Sequence, residues 1–188
     1  MRYLTKKSDS TILAEELSYD TQSQRLRIKA LLLNEQLGFC AYSERYIQNT
    51  DAVDIEHFDG RIKATSDDSY FNWYAVLRWM NSHKPKKLDE RFLPLPAPSA
   101  SNLQERIRYE GGIFVCNKDD IEAGNLIKYL GFNNPKLVAD REKHVARIIY
   151  LKTQMEEGFE DYLATHKEEL SFITALEVEL DLNLSHLL

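Results

Sequence analysis

The sequence predicts an α+β protein, mainly helical. Apolar residues recur at helical spacing in several long segments, Ala52 to Phe58 is a short run suited to a strand, and ERIRYEGGIFVCN alternates on both sides of Gly111 and Gly112 as a hairpin does. With 188 residues, 43% apolar and 11% aromatic side chains, the chain is long enough to bury one core carrying appended elements.

Thr21 is placed to cap a helix running from Gln22 to Leu37, with Leu26, Ala30, Leu33 and Leu37 at helical spacing and Gly38 as its stop. The aromatic, irregular segment FCAYSERYI then calls for a tight turn or short hairpin, followed by the strand Ala52 to Phe58. After the polar loop GRIKATSDDS, Tyr70 to Asn81 is expected to be helical, with Trp73, Leu77, Trp79 and Met80 as packing residues. A Pro-rich connector, Phe92 to Ser101, separates residues 1–91 from residues 102–188. Beyond the hairpin, Asp119 or Asp120 caps a helix ending near Gly131, and Asn134 with Pro135 opens another that runs to about Gly158. The final third is expected to be helical and acidic.

The formal net charge is −6, which argues against nucleic acid if charge is averaged over the chain. It is unevenly distributed: residues 1–100 carry 14 basic and 14 acidic side chains, whereas residues 101–188 carry 10 and 16. Arg61, Lys63, Arg78, Lys84, Lys86, Lys87 and Arg91 gather in one stretch, enough for a local phosphate-binding face or for an ordinary solvated one. The opening MRYLTKK has no signal-peptide character, and no run approaches the roughly 20 apolar residues that span a bilayer. A soluble, cytoplasmic protein without a membrane partner is expected. Cys40 and Cys116 are too few for a disulfide framework and read as free thiols.

The stretch most suggestive of chemistry is VDIEHFDGRIKATSDDSYFNWYAVLRWMNSHKPKK. Glu56 and His57 stand together at a strand end, and Asn72 and Asn81 follow His57 by 15 and 24 residues. In order and spacing these positions resemble the HNH nuclease family over about residues 30 to 90. The resemblance implies a ββα-metal core, in which a strand bearing an acid–His pair faces a helix with one divalent ion between them.

Each position then has a physical task. A neutral imidazole with a pKa of about 6.5 takes a proton from the attacking water, which assigns the base to His57. A hard ion such as Mg or Mn prefers oxygen ligands, which assigns Glu56 and Asn81 to it, with His83 as an auxiliary ligand. The resemblance gives Asn72 the task of bonding backbone groups across the loop and orienting the base. Arg61, Lys63, Arg78, Lys84, Lys86 and Lys87 are the candidate nucleic-acid contacts, with DNA preferred over RNA.

A narrower resemblance extends outside the motif. MRYLTKK, NEQLGFCAYSERYI, IEHF and YLGFNNPKLVADREK are similar to the PtuB-type HNH components of Septu and some retron antiphage systems, along most of residues 1 to 150. It implies a defence effector working with a PtuA-like ABC-type ATPase. The chain departs from the family at its zinc knuckle. Cys40 is followed by Ser43 where a Cys-x-x-Cys pair is usual, and Leu77 and Met80 stand at the second pair. One thiolate does not make a four-ligand site, so no structural zinc is expected, and Leu77 and Met80 should pack near Cys40, Phe39 and Tyr42. After EHF, Asp59, Gly60 and Arg61 replace the x-Pro-Lys common in relatives.

Two function classes remain: an active metal-dependent HNH endonuclease, and a degenerate HNH module that binds nucleic acid or protein without cutting. Residues 156 to 188 carry nine acidic side chains against one lysine and are unsuited to phosphate. There Leu170, Ile173, Leu176, Leu180 and Leu184 form a stripe at helical spacing, suited either to docking the ATPase or to closing the protein's own core.

Overall fold

A computed structural model of the chain describes residues 2–97, 102–155 and 157–188. Its α+β architecture holds two small antiparallel two-stranded sheets among helices. Part of the Pro-rich connector, residues 98–101, lies outside the described residues. No helix among the described residues is long and apolar enough to cross a membrane.

After a short helix α1 (Thr11–Ala14), α2 (Gln22–Glu35) starts at the expected cap, where the Thr21 side chain accepts the Gln24 N–H. It ends before Gly38, whose φ of +85° suits a residue without Cβ. The buried face differs from the expected one. Ile28 and Leu32 are buried, whereas Leu26 is 63% exposed. Apolar residues surround the segment IKALLLNE, so its spacing does not single out one face. Next comes the turn, closed by a bridge between Phe39 and Tyr46.

The strand β1 (Val53–His57) lies within the expected bounds, but the segment expected to form one helix over Tyr70 to Asn81 does not. It forms a 3-10 turn (Tyr70–Asn72), then β2 (Trp73–Leu77), then α3 (Arg78–His83). The reason is burial on both faces. All five β2 residues are buried, Trp73 and Ala75 with Ile28 and Leu32, Tyr74 and Val76 in the main core. A strand covered on both sides shows no polar–apolar alternation and resembles a helix segment. β1 and β2 pair antiparallel, with His57 opposite Trp73 and Glu56 opposite Tyr74, so the loop 58–72 is the hairpin connection.

The second half follows local signals closely. β3 (Ile107–Glu110) and β4 (Ile113–Cys116), which follow the one-turn α4 (Leu103–Arg106), are joined by Gly111 and Gly112, both at positive φ. α5 (Ile121–Leu130) is capped by Asp120 and closed by Gly131, and α6 (Pro135–Gln154) is capped by Asn134. α7 (Phe159–Thr165) and α8 (Ile173–Leu180) complete the chain.

The two halves share one core. Tyr42, Tyr74 and Met80 from the first half cluster with Leu126, Tyr129, Leu163 and Leu176 from the second. Leu170, Ile173, Leu176, Leu180 and Leu184 are buried in this cluster. The terminal stripe therefore closes the protein's own core and is not a free docking face. Cys40, Phe39, Tyr42, Leu77 and Met80 are buried in the same cluster, and the Leu77 N–H points to Cys40 Sγ at 3.4 Å.

Candidate functional site

Successive side chains of a strand point to opposite faces, and this divides the acid–His pair. Glu56 lies with Asp54 on the face of β1 that meets α3, and His57 lies on the face toward α2.

On the first face, α3 supplies Arg78 and Asn81, and Lys84 follows at its end. The Asn81 amide donates to Asp54 Oδ2 at 3.0 Å, and the Arg78 guanidinium forks onto Asp54 Oδ1 at 3.0 and 3.1 Å. The Lys84 ammonium forms an ion pair with Glu56, donates to the His57 carbonyl at 2.6 Å and lies over the Tyr129 ring of α5. Both partners are buried. Burial raises the Glu56 carboxyl above its ordinary value and lowers the Lys84 ammonium, while each charge opposes the shift of the other.

On the second face, His57 is 4% exposed. Tyr19 meets its ring edge-on with centroids 4.8 Å apart, and Asp68 Oδ2 lies 3.1 Å from Nε2, although out of line for a hydrogen bond. Burial lowers the His57 pKa to about 4, against the attraction of Asp68. The imidazole is therefore neutral at pH 7.

The loop between the strands is fastened by Asn72. Its Oδ1 accepts the Asp59 N–H at 2.7 Å, its Nδ2 donates to the Asp59 carbonyl at 3.1 Å, and its own carbonyl accepts the Phe58 N–H at 2.8 Å. These bonds hold the backbone immediately after His57. Asn72 Nδ2 also donates to Asp68 Oδ1 at 3.0 Å.

Glu56, Lys84, Asp54 and Asn81 are thus gathered on one side of the hairpin and His57, Asn72 and Asp68 at the other side and the loop. His83 is not brought to Glu56. It is exposed, stacked on Trp79 with its Nδ1 2.7 Å from the Trp79 carbonyl, on a different side of α3 from Asn81. The basic candidates also divide. Arg61 is bound to Asp59 and Arg78 to Asp54, and Lys84 is buried, whereas Lys63, Lys86 and Lys87 are exposed.

Among the described residues no group of three His, Cys, Asp or Glu side chains is arranged to hold a metal ion. The oxygen donors present on the α3 face are the carboxylates of Asp54 and Glu56 and the amide of Asn81, a set that suits a hard divalent cation. Lys84 competes for Glu56, and Arg78 and Asn81 itself hold Asp54.

Sequence reasoning missed Asp54, Asp68, Tyr19 and Tyr129. Asp54 was open to detection, being two residues before Glu56 on the same face of a strand. Tyr19 and Tyr129 reach the site only through long-range folding, and Asp68 through the way the hairpin loop closes on its own strands. No family model, curated protein or solved structure matches the chain.

Proposed function

We propose that this chain is an HNH-type endonuclease in which His57 is the general base for phosphodiester hydrolysis. The observation that carries the reading is the two-way clamp of the Asn72 amide on the Asp59 backbone, directly after His57. It is the contact that the HNH resemblance requires of the middle Asn. The chain order β1, β2, α3, with Glu56 facing α3, supports the same reading.

In this proposal the neutral imidazole of His57 accepts a proton from the water that attacks phosphorus, and Asn72 fixes the backbone that carries it. Asp54, Glu56 and Asn81, across the hairpin from His57, are the residues that would hold a divalent ion, Mg or Mn, which would supply stabilisation of the developing negative charge. Serving the phosphate attacked through His57 requires the two faces to be brought together at the end of β1. Lys63, Lys86 and Lys87 are the exposed lysines that would meet the phosphates of a DNA strand. Tyr19 covers the His57 ring edge-on, so it must move before a strand reaches the base. A base covered at rest suits an effector controlled by a partner, here an ABC-type ATPase in a cytoplasmic antiphage system.

The Lys84 contact on Glu56 favours a second reading, a module that binds nucleic acid or a protein without cutting. One experiment separates the two. Wild type and His57→Gln are incubated with plasmid DNA in Mg or Mn, alone and with an ABC-type ATPase encoded beside the gene. Loss of about 10²- to 10⁴-fold in cleavage by the variant is expected. Equal cleavage by both removes His57 as base, and DNA binding without cleavage under every condition supports the non-cutting module.

A further inference from the structure

We propose that Asp68 is the positioning residue of His57, holding the imidazole with its proton on Nε2 and leaving the Nδ1 lone pair to accept the proton of the attacking water. This inference rests on the reading of His57 as the base and names the group that sets its tautomer.

Asp68 is a built feature of the loop. Its side chain is 5% exposed, although the loop around it is polar and largely open to solvent. Three donors fix the carboxylate: Trp73 Nε1–H at 2.7 Å and Asn72 Nδ2–H at 3.0 Å on Oδ1, and the Ala64 N–H at 3.2 Å on Oδ2. With these bonds made, Oδ2 stands 3.1 Å from His57 Nε2. At that distance the carboxylate charge disfavours a lone pair on Nε2 and favours an Nε2–H, even with the oxygen off the N–H axis. The carboxylate thereby selects one of two neutral tautomers. The contact is out of line at rest, as catalytic hydrogen bonds often are before substrate is bound. Proton transfer to Nδ1 would create an imidazolium, and the anchored carboxylate would stabilise that charge without moving.

The anchoring also links the base to its surroundings. Asn72 bonds both Asp68 and the backbone after His57, and Trp73, opposite His57 in the sheet, bonds Asp68 through its indole. A displacement of the loop that frees Asp68 would therefore release the imidazole as well.

The test uses histidine labelled with ¹⁵N in the full chain, with the His57 resonances assigned by their loss in His57→Gln. At neutral pH the wild-type protein is expected to carry its proton on Nε2. Asp68→Asn keeps an oxygen for Asn72 and Trp73, gives up the Ala64 N–H bond and presents an amide donor to the ring, so the proton should move to Nδ1. Cleavage of plasmid DNA in Mg should then fall about 10- to 100-fold in kcat with little change in KM, because Asp68 touches the base and not the strand. A wild-type proton on Nδ1, or the same tautomer in both proteins, overturns the proposal. The tautomer is read without catalysis, so a chain that never cuts DNA would sink the nuclease reading while the ¹⁵N spectra still decide the role of Asp68.

Discussion

The Lys84 ammonium and the Glu56 carboxylate form an ion pair beneath the end of β1, and the same ammonium donates to the His57 carbonyl at 2.6 Å. One cation thus braces the backbone of the candidate base and occupies the candidate metal ligand. Removing one member of a buried pair leaves the other charge without a partner, at a cost of about 3–5 kcal/mol. Lys84→Met should lose stability of that order in urea unfolding, and Lys84→Met with Glu56→Leu should recover much of it. A single variant as stable as wild type would show that the pair is exposed in solution.

Two histidines should make the fold acid-sensitive. Burial lowers both His57 and His144 from an ordinary 6.5 to about 4, with the charges of Arg147 and Arg45 adding to the effect at His144. The unfolded chain therefore takes up protons at these positions before the folded one does. Their contribution to stability is full above about pH 6.5 and is lost as pH falls toward about 4. Urea midpoints measured across that interval should decline with falling pH, and His144→Gln should flatten the decline. An unchanged slope in that variant would remove His144 from the account.

Chemically local signals are legible in the sequence and long-range choices are not. Thr21, Asp120 and Asn134 cap the helices expected of them, and Gly111 with Gly112 turns the expected hairpin, because each satisfies backbone groups within a few residues. β2 has the apolar pattern of a helix because both its faces are covered, a property of its neighbours. At the site, spacing marks Glu56, His57, Asn72 and Asn81, whereas the engagement of Lys84 by Glu56 and of His57 by Asp68 depends on which loop folds over which face. His57 is also more enclosed than a strand-end side chain normally is. A Gln replacement is therefore a safer test of catalysis than Ala, which would leave a void beside Tyr19.

The buried Cys40, Leu77 and Met80 bear on the zinc knuckle that the HNH resemblance would imply. This region has apolar burial, worth about 1.5–3 kcal/mol for each fully buried large side chain. Elemental analysis of the purified protein should find no stoichiometric zinc. Met80→Ala should destabilise the fold by about 2–5 kcal/mol. Near one zinc per chain after dialysis against a mild chelator would show that other ligands close the site.

Glu44, buried in the turn between α2 and β1, ties that turn to the C-terminal tail. Its carboxylate accepts the Arg2 N–H at 2.9 Å, the Thr174 hydroxyl at 2.8 Å and the Thr174 N–H at 3.1 Å. Burial raises its pKa, but the N-terminal charge and these bonds outweigh it and hold the carboxyl below its ordinary value. The Phe172 N–H donates to the Glu44 carbonyl at 2.9 Å, and the Tyr46 N–H to Ser171 Oγ at 3.0 Å. The turn is therefore stitched to the C-terminal segment, whose Leu170, Ile173, Leu176 and Leu184 are 0% exposed. Deleting residues 170–188 would strip seven core side chains, among them Leu170, Ile173 and Leu176, and leave a buried carboxylate without Thr174. The product should be aggregated or unfolded by circular dichroism, and Leu176→Ala alone should cost about 2–5 kcal/mol. Glu44→Gln, which keeps the shape but loses the charge, should destabilise the fold by a smaller amount. A truncated chain that folds with unchanged thermal stability would instead return the tail to the role of a detachable docking element.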